Sequence, residues 1–295
     1  MAQKYYSPLR YPGGKGKLLG FAKDLINSNE LNGGSYSEPY AGGASIAIGL
    51  LIEDYVSEIN INDIDYGIYS FWNSILEDTD DFLRKLWSTK VSIEEWRKQV
   101  NIKQNQADYS QLDIGFSTFF LNRTNRSGMI NAGVIGGINQ NGNYKIDARF
   151  NKDELARRIK RIACHKEYIN VYNQDAVEFI TSTIRKNKTQ GLIFLDPPYY
   201  NKGKKLYTNF YEHDDHLKIA ETIVNSEHKH WIVTYDNTSE IEEMYTEVKK
   251  IAYSLKYSLN HQSKNGTELL FHSNDIVLPY HPNNTIKGYN QNAAS

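Results

Sequence analysis

The residue types best suited to chemistry in this chain follow a short apolar run and form the tetrad Asp196-Pro197-Pro198-Tyr199. The run itself, residues 191–195, is typical of a buried central strand, because it is short, apolar and bounded by a glycine and by prolines. Proline has no backbone N–H to donate, so the chain must leave the sheet after this run. The tetrad therefore lies at the carboxyl end of a buried strand, the edge where open α/β sheets bind ligands.

This tetrad could hold an exocyclic amino group ready for reaction. On a nucleobase such a nitrogen is a poor nucleophile, because its lone pair is conjugated into the ring. The Asp196 side chain and the Pro197 carbonyl offer two acceptors, which would hold both N–H bonds out of the ring plane and restore lone-pair density. Tyr199 can stack on a flat base, an interaction worth about 1–3 kcal/mol. A tight turn that merely follows a core strand is the competing interpretation.

The Asp-Pro-Pro-Tyr tetrad resembles motif IV of the S-adenosylmethionine-dependent amino-methyltransferases. Aspartate at its first position resembles the adenine-N6 enzymes, whereas serine there is more typical of cytosine-N4 enzymes. The resemblance implies that Asp196, Pro197, Pro198 and Tyr199 are the catalytic residues and that Asp196 also lies against the cofactor. The tetrad alone leaves RNA and protein substrates open.

Two glycine-containing segments near the N-terminus resemble, more narrowly, the DNA adenine methyltransferase (Dam-like, D12 class) family. The first runs from Tyr11 to Lys15 and reads Tyr-Pro-Gly-Gly-Lys, an anion-binding type of loop without Walker A spacing. The second runs from Glu38 through Tyr40 and Gly42 and lacks the dinucleotide-binding fingerprint. In isolation, the first segment would be interpreted as a flexible basic loop, and a generic Rossmann-like turn explains the second equally well. The resemblance implies that Tyr11, Lys15, Tyr40 and Gly42 contact S-adenosylmethionine.

Acidic residues follow two other predicted strands. Residues 57–65 alternate like a strand and end in Asp63 and Asp65. Asp63 is placed to accept hydrogen bonds from ribose hydroxyls, and Asp65 is expected to cap the next helix. Asp175 follows the predicted strand at 168–172, and the family resemblance implies that it lies near the cofactor's adenine. Many family members have Asp-Phe here, whereas this chain has alanine after the aspartate.

Residues 66–163 interrupt the alternation of strands and helices, with helical patterning over 69–87 and 93–104. Charge is unevenly distributed along the chain. Residues 121–166 contain ten Lys or Arg against three acids, whereas residues 24–83 contain twelve acids and no Lys or Arg. The basic segment 121–166 is a candidate phosphate-binding surface, with a solvated helix face as the competing interpretation.

A glycine- and asparagine-rich stretch in the basic segment gives a strong turn signal at residues 139–143. It predicts a basic β-hairpin, and a two-stranded ribbon fits the major groove of DNA. We expect Arg123, Arg126 and Arg149 to bind DNA, and at least one of them to read a base. Three helix-face arginines are expected to contact phosphates instead: Arg157, Arg158 and Arg161. In the Dam-like family the target recognition domain lies at this point of the chain.

The order of all these segments resembles the Dam-like family along nearly the whole chain. It implies an α/β, Rossmann-like S-adenosylmethionine-dependent methyltransferase fold, a mixed sheet with helices on both faces. An inserted helical target recognition domain would carry the β-hairpin. Residues 1–65 and 164–295 would form the catalytic domain, and residues 66–163 the inserted DNA-binding domain.

The implied activity is site-specific methyl transfer from S-adenosylmethionine to N6 of an adenine that has left the duplex stack. Double-stranded DNA is the expected partner, a cognate restriction endonuclease is a candidate second partner, and the chain is expected to be a monomer. Cytosine-N4 methylation, adenine methylation in RNA and a non-catalytic DNA-binding relative stay open as alternatives. A nicotinamide-dependent oxidoreductase fails on the missing fingerprint.

Composition is consistent with a cytoplasmic protein. The 295 residues are 40% hydrophobic and 23% charged, ordinary values for a soluble globular chain. No apolar run approaches the ~20 residues of a membrane span, and no signal peptide is expected. The single cysteine, Cys164, excludes an internal disulfide and a cysteine-based zinc cluster. His213 and His216 have no further ligands nearby in sequence, so we interpret them as surface residues and expect no metal.

Overall fold

A computed structural model describes residues 6–10, 15–184, 190–201, 211–259 and 262–279 of the chain. The predicted cofactor residue Tyr11 lies outside these residues. For Lys15 the backbone is described but the side chain is not.

The described residues contain seven strands: β1 Ser35–Glu38, β2 Glu58–Asn62, β3 Ile169–Tyr172, β4 Gly191–Leu195, β5 Trp231–Asp236, β6 Lys249–Leu259 and β7 Gln262–His272. They form one sheet in the order β3-β2-β1-β4-β5-β7-β6. The first five of these are parallel, while β7 is antiparallel to β5 and to β6. The sheet is therefore mixed, as predicted.

The central pair of strands, β1 and β4, marks the point where the strand order reverses. From β1 the chain adds β2 and β3 on one side, and from β4 it adds β5 on the other. Ser37 of β1 lies opposite Ile193 of β4, so the two strands end close together. Such a switch point opens a crevice at the carboxyl ends of the strands. The tetrad after β4 lies at this crevice.

The described helices are α1 Leu19–Ser28, α2 Ser45–Ile52, α3 Tyr66–Glu77, α4 Thr79–Ser88, α5 Ile93–Gln104, α6 Gln111–Thr124, α7 Lys152–Ala163, α8 Ala176–Glu178, α9 His213–Val224 and α10 Ser239–Met244. A π-helical turn, Phe179–Thr183, continues α8. None of the helices in the described ranges is long and apolar enough to cross a membrane. Asp65 caps α3 as predicted, because its side chain accepts hydrogen bonds from the backbone N–H groups of Gly67 and Ile68.

Helices cover both faces of the sheet, and the residues of its central strand alternate between two buried cores. Leu192 and Phe194 of β4 belong to a core shared with α1, α2 and α3. Ile193 and Leu195 belong to a second core shared with α9 and with the turn after α8. Burial on both faces explains why this strand is an unbroken apolar run. It also holds the end of β4 rigidly at the crevice.

A cluster of phenylalanines joins the helices that follow β2. Phe71 of α3 stacks on Phe119 of α6, with ring centroids 5.8 Å apart. Phe82 of α4 packs edge-on against Phe116 and Phe119. All four rings belong to the core that covers one face of the sheet, so these helices are anchored to the sheet. The assignment of residues 66–163 to target recognition stays a prediction.

The predicted β-hairpin around residues 139–143 is wrong. Between α6 and α7 the chain forms turns, with one isolated β-bridge between Asn125 and Val134. Gln140 explains the difference, because its carboxamide donates to the carbonyl of Ile135 at 2.8 Å and accepts from the N–H of Ile146 at 2.8 Å. The backbone groups are thus satisfied inside a compact loop and need no ladder partner.

Candidate active site

The tetrad residue Asp196 is held in place from the neighbouring strand. Leu195 pairs with Val233, which brings Thr234 beside Asp196. The Thr234 hydroxyl donates to Asp196 Oδ1 at 2.7 Å, and Thr234 is fully buried. Asp196 itself is half-buried. Its carboxylate therefore has a defined orientation at the crevice, as an acceptor for a reacting amine would require.

The chain that follows Asp196 is also tied to the neighbouring strands. Asp236, at the end of β5, accepts the backbone N–H groups of Tyr200 at 2.9 Å and Asn201 at 3.2 Å. The hydroxyl of the buried Tyr199 donates to Glu268 of β7 at 2.5 Å. Pro197 is buried and Pro198 half-buried. The whole tetrad is thus a rigid turn supported by side chains of β5 and β7.

A second carboxyl group, Glu38, lies at the end of β1 and is 7% exposed. It accepts hydrogen bonds from the Tyr36 hydroxyl at 3.1 Å and from the Ala47 N–H at 3.2 Å. Burial raises the pKa of Glu38 to about 8, and the charge of Asp196 contributes in the same direction. Glu38 is therefore mostly protonated at neutral pH, which keeps a second negative charge away from Asp196.

In the turn after β1, both main-chain polar groups of Gly42 are hydrogen-bonded to side chains from other parts of the chain. The Gly42 N–H donates to Asp63 Oδ2 at 2.9 Å, and its carbonyl accepts from the Trp72 ring nitrogen at 2.9 Å. Gly42 has a φ of 46°, a backbone conformation that favours glycine. Burial raises the pKa of Asp63 to about 7, and the charge of Asp65 acts in the same direction. The structure thus brings predicted residues Gly42 and Asp63 together.

Tyr40 contacts Tyr211 at the carboxyl end of the sheet, where Asp175 follows β3. The hydroxyls of Tyr40 and Tyr211 lie 2.9 Å apart, and their rings are edge-on at 5.9 Å. Burial raises the pKa of Tyr211 to about 12, and the charges of Asp175 and Asp63 add to this effect. Asp175 also caps α8 by accepting the Val177 N–H at 2.9 Å. The two tyrosine rings therefore contact each other at the crevice, within reach of the charges of Asp175 and Asp63.

The residues that follow the predicted cofactor loop lie beside α2. Lys15 begins a short 3-10 helix, Lys15–Leu18. A Cβ built on Gly16 would lie 3.4 Å from the Ser45 Cβ at the start of α2. This 3-10 helix is therefore adjacent to the helix that follows Tyr40 and Gly42, while residues 11–14 of the predicted loop lie outside the described residues.

His216 is not a surface residue, so that interpretation is wrong for it. It is 1% exposed, and its Nδ1 lies 3.0 Å from the Tyr235 hydroxyl. Burial lowers the pKa of His216 to about 4, so the ring is neutral. The ring packs edge-on against Tyr211 at 5.3 Å and supports the aromatic side of the crevice. His213, in contrast, is exposed as predicted, with its Nδ1 3.0 Å from the Tyr200 hydroxyl.

The predicted DNA-binding arginines differ in their surroundings. Arg123 directs its guanidinium at main chain: its Nε donates to the Arg149 carbonyl at 2.7 Å. Burial lowers the pKa of Arg123 to about 9, helped by the charges of Arg10, Arg158 and Arg149. Arg149 and Arg126 are exposed. The structure thus gathers Arg123 and Arg149 in one cationic cluster.

A family model for the D12 class N6 adenine-specific DNA methyltransferases matches residues 11–259. The chain belongs to this family. The resemblance seen in the motifs is confirmed, and so is the activity: this D12 enzyme methylates N6 of adenine in DNA. Methyltransferases of this family use S-adenosylmethionine.

Several solved structures are distantly similar to this D12 chain. A candidate RNA methyltransferase of Pyrococcus horikoshii has 12% identity and a TM-score of 0.41, over 90% of this chain and 84% of that one. The rRNA methyltransferase aviRa of Streptomyces viridochromogenes has 9% identity and a TM-score of 0.37, over 86% and 84%. At these TM-scores the likeness carries no argument about the substrate. No curated protein sequence matches the chain.

The groups at the crevice fit S-adenosylmethionine. Asp63 and Asp175 supply carboxylates for hydroxyl or ammonium groups, and the rings of Tyr40 and Tyr211 supply flat apolar surface for an adenine. Gly42 lets the backbone approach a ligand closely. Each oxygen of Asp63 already accepts one backbone N–H, from Gly42 or Asp65, and retains a second lone pair for a ligand.

Three supporting residues of the site did not emerge from the sequence: Thr234, Asp236 and Glu268. A weak signal existed, because Thr234 and Asp236 are polar residues spaced two apart at the end of an apolar strand. That spacing places both side chains on one face of the sheet. Glu268 is a single acid before an apolar run, which by itself predicts nothing.

Proposed function

We propose that this D12 enzyme methylates an adenine that leaves the stack of double-stranded DNA, and that the tetrad holds the adenine's amino group. The observation that carries the proposal is the buried Thr234, whose hydroxyl orients Asp196 beside the crevice lined by Tyr40 and Asp63. Asp196 and the Pro197 carbonyl would accept the two N6 hydrogens, which restores lone-pair density on nitrogen.

S-adenosylmethionine supplies an electrophilic methyl group when it is bound. The residues that would hold it are Tyr11, Lys15, Tyr40, Gly42, Asp63, Asp175 and Asp196. This chain lacks the aromatic residue that usually follows Asp175, and we infer that Tyr211 provides the missing ring surface. The bond between N6 and the methyl group would form as the methyl–sulfur bond breaks and leaves a neutral thioether. N6 must then release a proton, and Asp196, which would already accept a hydrogen bond from N6, is placed to take it. Tyr199 would stack on the flipped base.

DNA binding is proposed for the exposed arginines beside the compact loop. Arg126 and Arg149 are exposed, whereas the Arg123 side chain donates to the main-chain carbonyl of Arg149. A fourth arginine, Arg10, has a buried Nη1 with no hydrogen-bond partner among the described residues. Its pKa is lowered by burial and by the charge of Arg149. A backbone phosphate would satisfy this cluster, and residues 66–163 would then serve target recognition.

The test compares the wild-type protein with Asp196→Ala, using Asp214→Ala as the matched control. Asp214 is an exposed acid in the first turn of α9. Genomic DNA from cells without other adenine methylation is sequenced with a readout that distinguishes modified adenine from modified cytosine. We expect modified adenine at one sequence with the wild-type protein and with the control, and none with Asp196→Ala. Wild-type modification by Asp196→Ala, or modified cytosine alone, would refute the proposal.

A further inference from the structure

Three buried side chains form a continuous hydrogen-bonded set that begins at the tetrad. Tyr199 donates its hydroxyl to Glu268 Oε1 at 2.5 Å, and Tyr253 donates its hydroxyl to the other oxygen, Oε2. Tyr199 is 8% exposed, Glu268 3% and Tyr253 1%. Both oxygens of one buried carboxyl group are therefore bonded to tyrosine hydroxyls.

The strand register explains why this set faces the tetrad. Glu268 of β7 lies directly opposite Asp236 of β5 and Tyr253 of β6. Residues directly opposite each other have side chains on the same face of a sheet, and Thr234 shares that face with Asp236. One face of β5 and β7 thus supports three successive parts of the turn.

Each support acts on a different part of that turn. Thr234 binds the Asp196 carboxylate, while Asp236 binds the backbone N–H groups after the tetrad. Glu268 binds the hydroxyl of Tyr199, so it acts on the ring that would stack on the base. Of the three supports, Glu268 alone binds an aromatic side chain of the tetrad.

Packing does not require a carboxyl group at this position. A buried acid carries a large desolvation cost, which an apolar side chain of similar volume would avoid. Phenylalanine at both tyrosine positions, with an apolar residue in place of the acid, would fill the same space. The hydrogen-bonded set adds something that packing lacks, since a hydroxyl anchored at its far end restricts χ1 of Tyr199 and so the direction in which its ring extends.

We propose that Glu268 is a positioning residue for methyl transfer, which fixes the direction of the Tyr199 ring through its hydroxyl. Tyr253 donates its hydroxyl to the other carboxyl oxygen and so satisfies it. The inference rests on the proposed function, because it concerns the ring that stacks on the target adenine. It adds a residue of β7, 69 positions after Tyr199, to the machinery of the site.

The decisive experiment measures single-turnover methylation of cognate DNA in a mutant cycle. Glu268→Met removes both acceptors at similar length, whereas Glu268→Gln keeps an oxygen that can accept from Tyr199. Glu268→Met should lower the rate at least about fivefold, the loss of one ordinary hydrogen bond, and Glu268→Gln should stay within about threefold of wild type. Affinity for S-adenosylhomocysteine should be unchanged in both, because the cofactor residues are untouched.

The two tyrosines provide matched backgrounds for that comparison. Tyr199→Phe should itself slow transfer about fivefold, and in its presence Glu268→Met should cost less than about twofold, since the anchor is already gone. In the Tyr253→Phe background, Glu268→Met should keep its full effect. A merely structural acid would instead give the same loss in both backgrounds, in parallel with a lower unfolding midpoint.

The outcomes separate this inference from the proposed function. Absence of adenine methylation by the wild-type protein would refute the function. Normal wild-type methylation with Glu268→Met within threefold of it, or with equal losses in the two tyrosine backgrounds, would overturn the role of Glu268 alone. If Glu268→Met does not fold, Tyr199→Phe at the wild-type rate would overturn it by itself.

Discussion

Replacing Thr234 by valine removes one hydroxyl from the active site and almost nothing else. The hydroxyl donates to Asp196 Oδ1 at 2.7 Å, with a longer approach to the Leu195 carbonyl at 3.4 Å. Valine has nearly the same shape, and the site is fully buried opposite Leu270 of β7. The sheet should therefore survive, while the Asp196 carboxylate loses the donor that orients it.

The magnitude follows from the kind of bond that is lost. A hydrogen bond to a charged group contributes about 1.5–3 kcal/mol. If the orientation of Asp196 is needed in the transition state, the loss appears in the rate of transfer, where 1.36 kcal/mol is tenfold. Thr234→Val should thus slow single-turnover methylation by about 10- to 150-fold. Affinity for S-adenosylhomocysteine should change less than the rate, since Asp196 is one of several cofactor residues and Tyr40 and Asp63 are untouched.

The assay is transfer of a radiolabelled methyl group to cognate DNA with enzyme in excess. Thr234→Ser is the matched control, because it keeps the hydroxyl and removes only a methyl group. We expect the serine variant to stay within about threefold of wild type, with a small loss of stability from the missing methyl. Wild-type rates for Thr234→Val, or an equal loss for both variants, would refute the assigned role of Thr234.

Two further predictions concern charge. The pKa of Glu38 in the folded protein, about 8, lies above its ordinary value of 4.5, so stability should fall as pH rises through this window. Glu38→Gln mimics the protonated form, so its free energy of unfolding should lack that fall of a few kcal/mol. If denaturant unfolding gives the same dependence of this free energy on pH for the variant and the wild type, the prediction is wrong. Arg149→Ala should weaken DNA binding and should reduce the slope of log affinity against log salt by about 1, the loss of one phosphate contact. Arg157→Ala should do less, because Arg157 pairs with Glu154. Wild-type affinity and wild-type salt dependence of Arg149→Ala in anisotropy titrations would exclude Arg149 from the interface.

Local chemistry alone predicted much of this protein. Two successive prolines end β4, and the apolar run before them is typical of a buried strand. Asp65 precedes a helix whose first N–H groups need a cap. These features depend on the residue itself or on neighbours a few positions away, so the sequence contains them directly. The order of motifs then predicted the mixed sheet and the family.

Local signals failed where a nearby side chain offers the backbone hydrogen bonds that compete with strand pairing. The turn signal at residues 139–143 was correct about a reversal, yet Gln140 offers its carboxamide to the loop's own backbone and prevents a ladder. Arg123 donates to the Arg149 carbonyl, and its assignment to DNA binding stays a prediction. The pairing of the loop cannot be read from residue types, because a ladder and a compact loop use the same hydrogen-bonding groups.

Only the tertiary structure decided which side chains support the tetrad. Thr234 lies 38 positions from Asp196, and Glu268 lies 69 positions from Tyr199. Alternation along a strand predicts that two residues share a face, but not which strand will be the neighbour. That neighbour is set by the sheet order, in which β7 inserts antiparallel between β5 and β6. The catalytic residues could be found from the sequence because they are contiguous, and their supports could not because strand pairing brings them together across the fold.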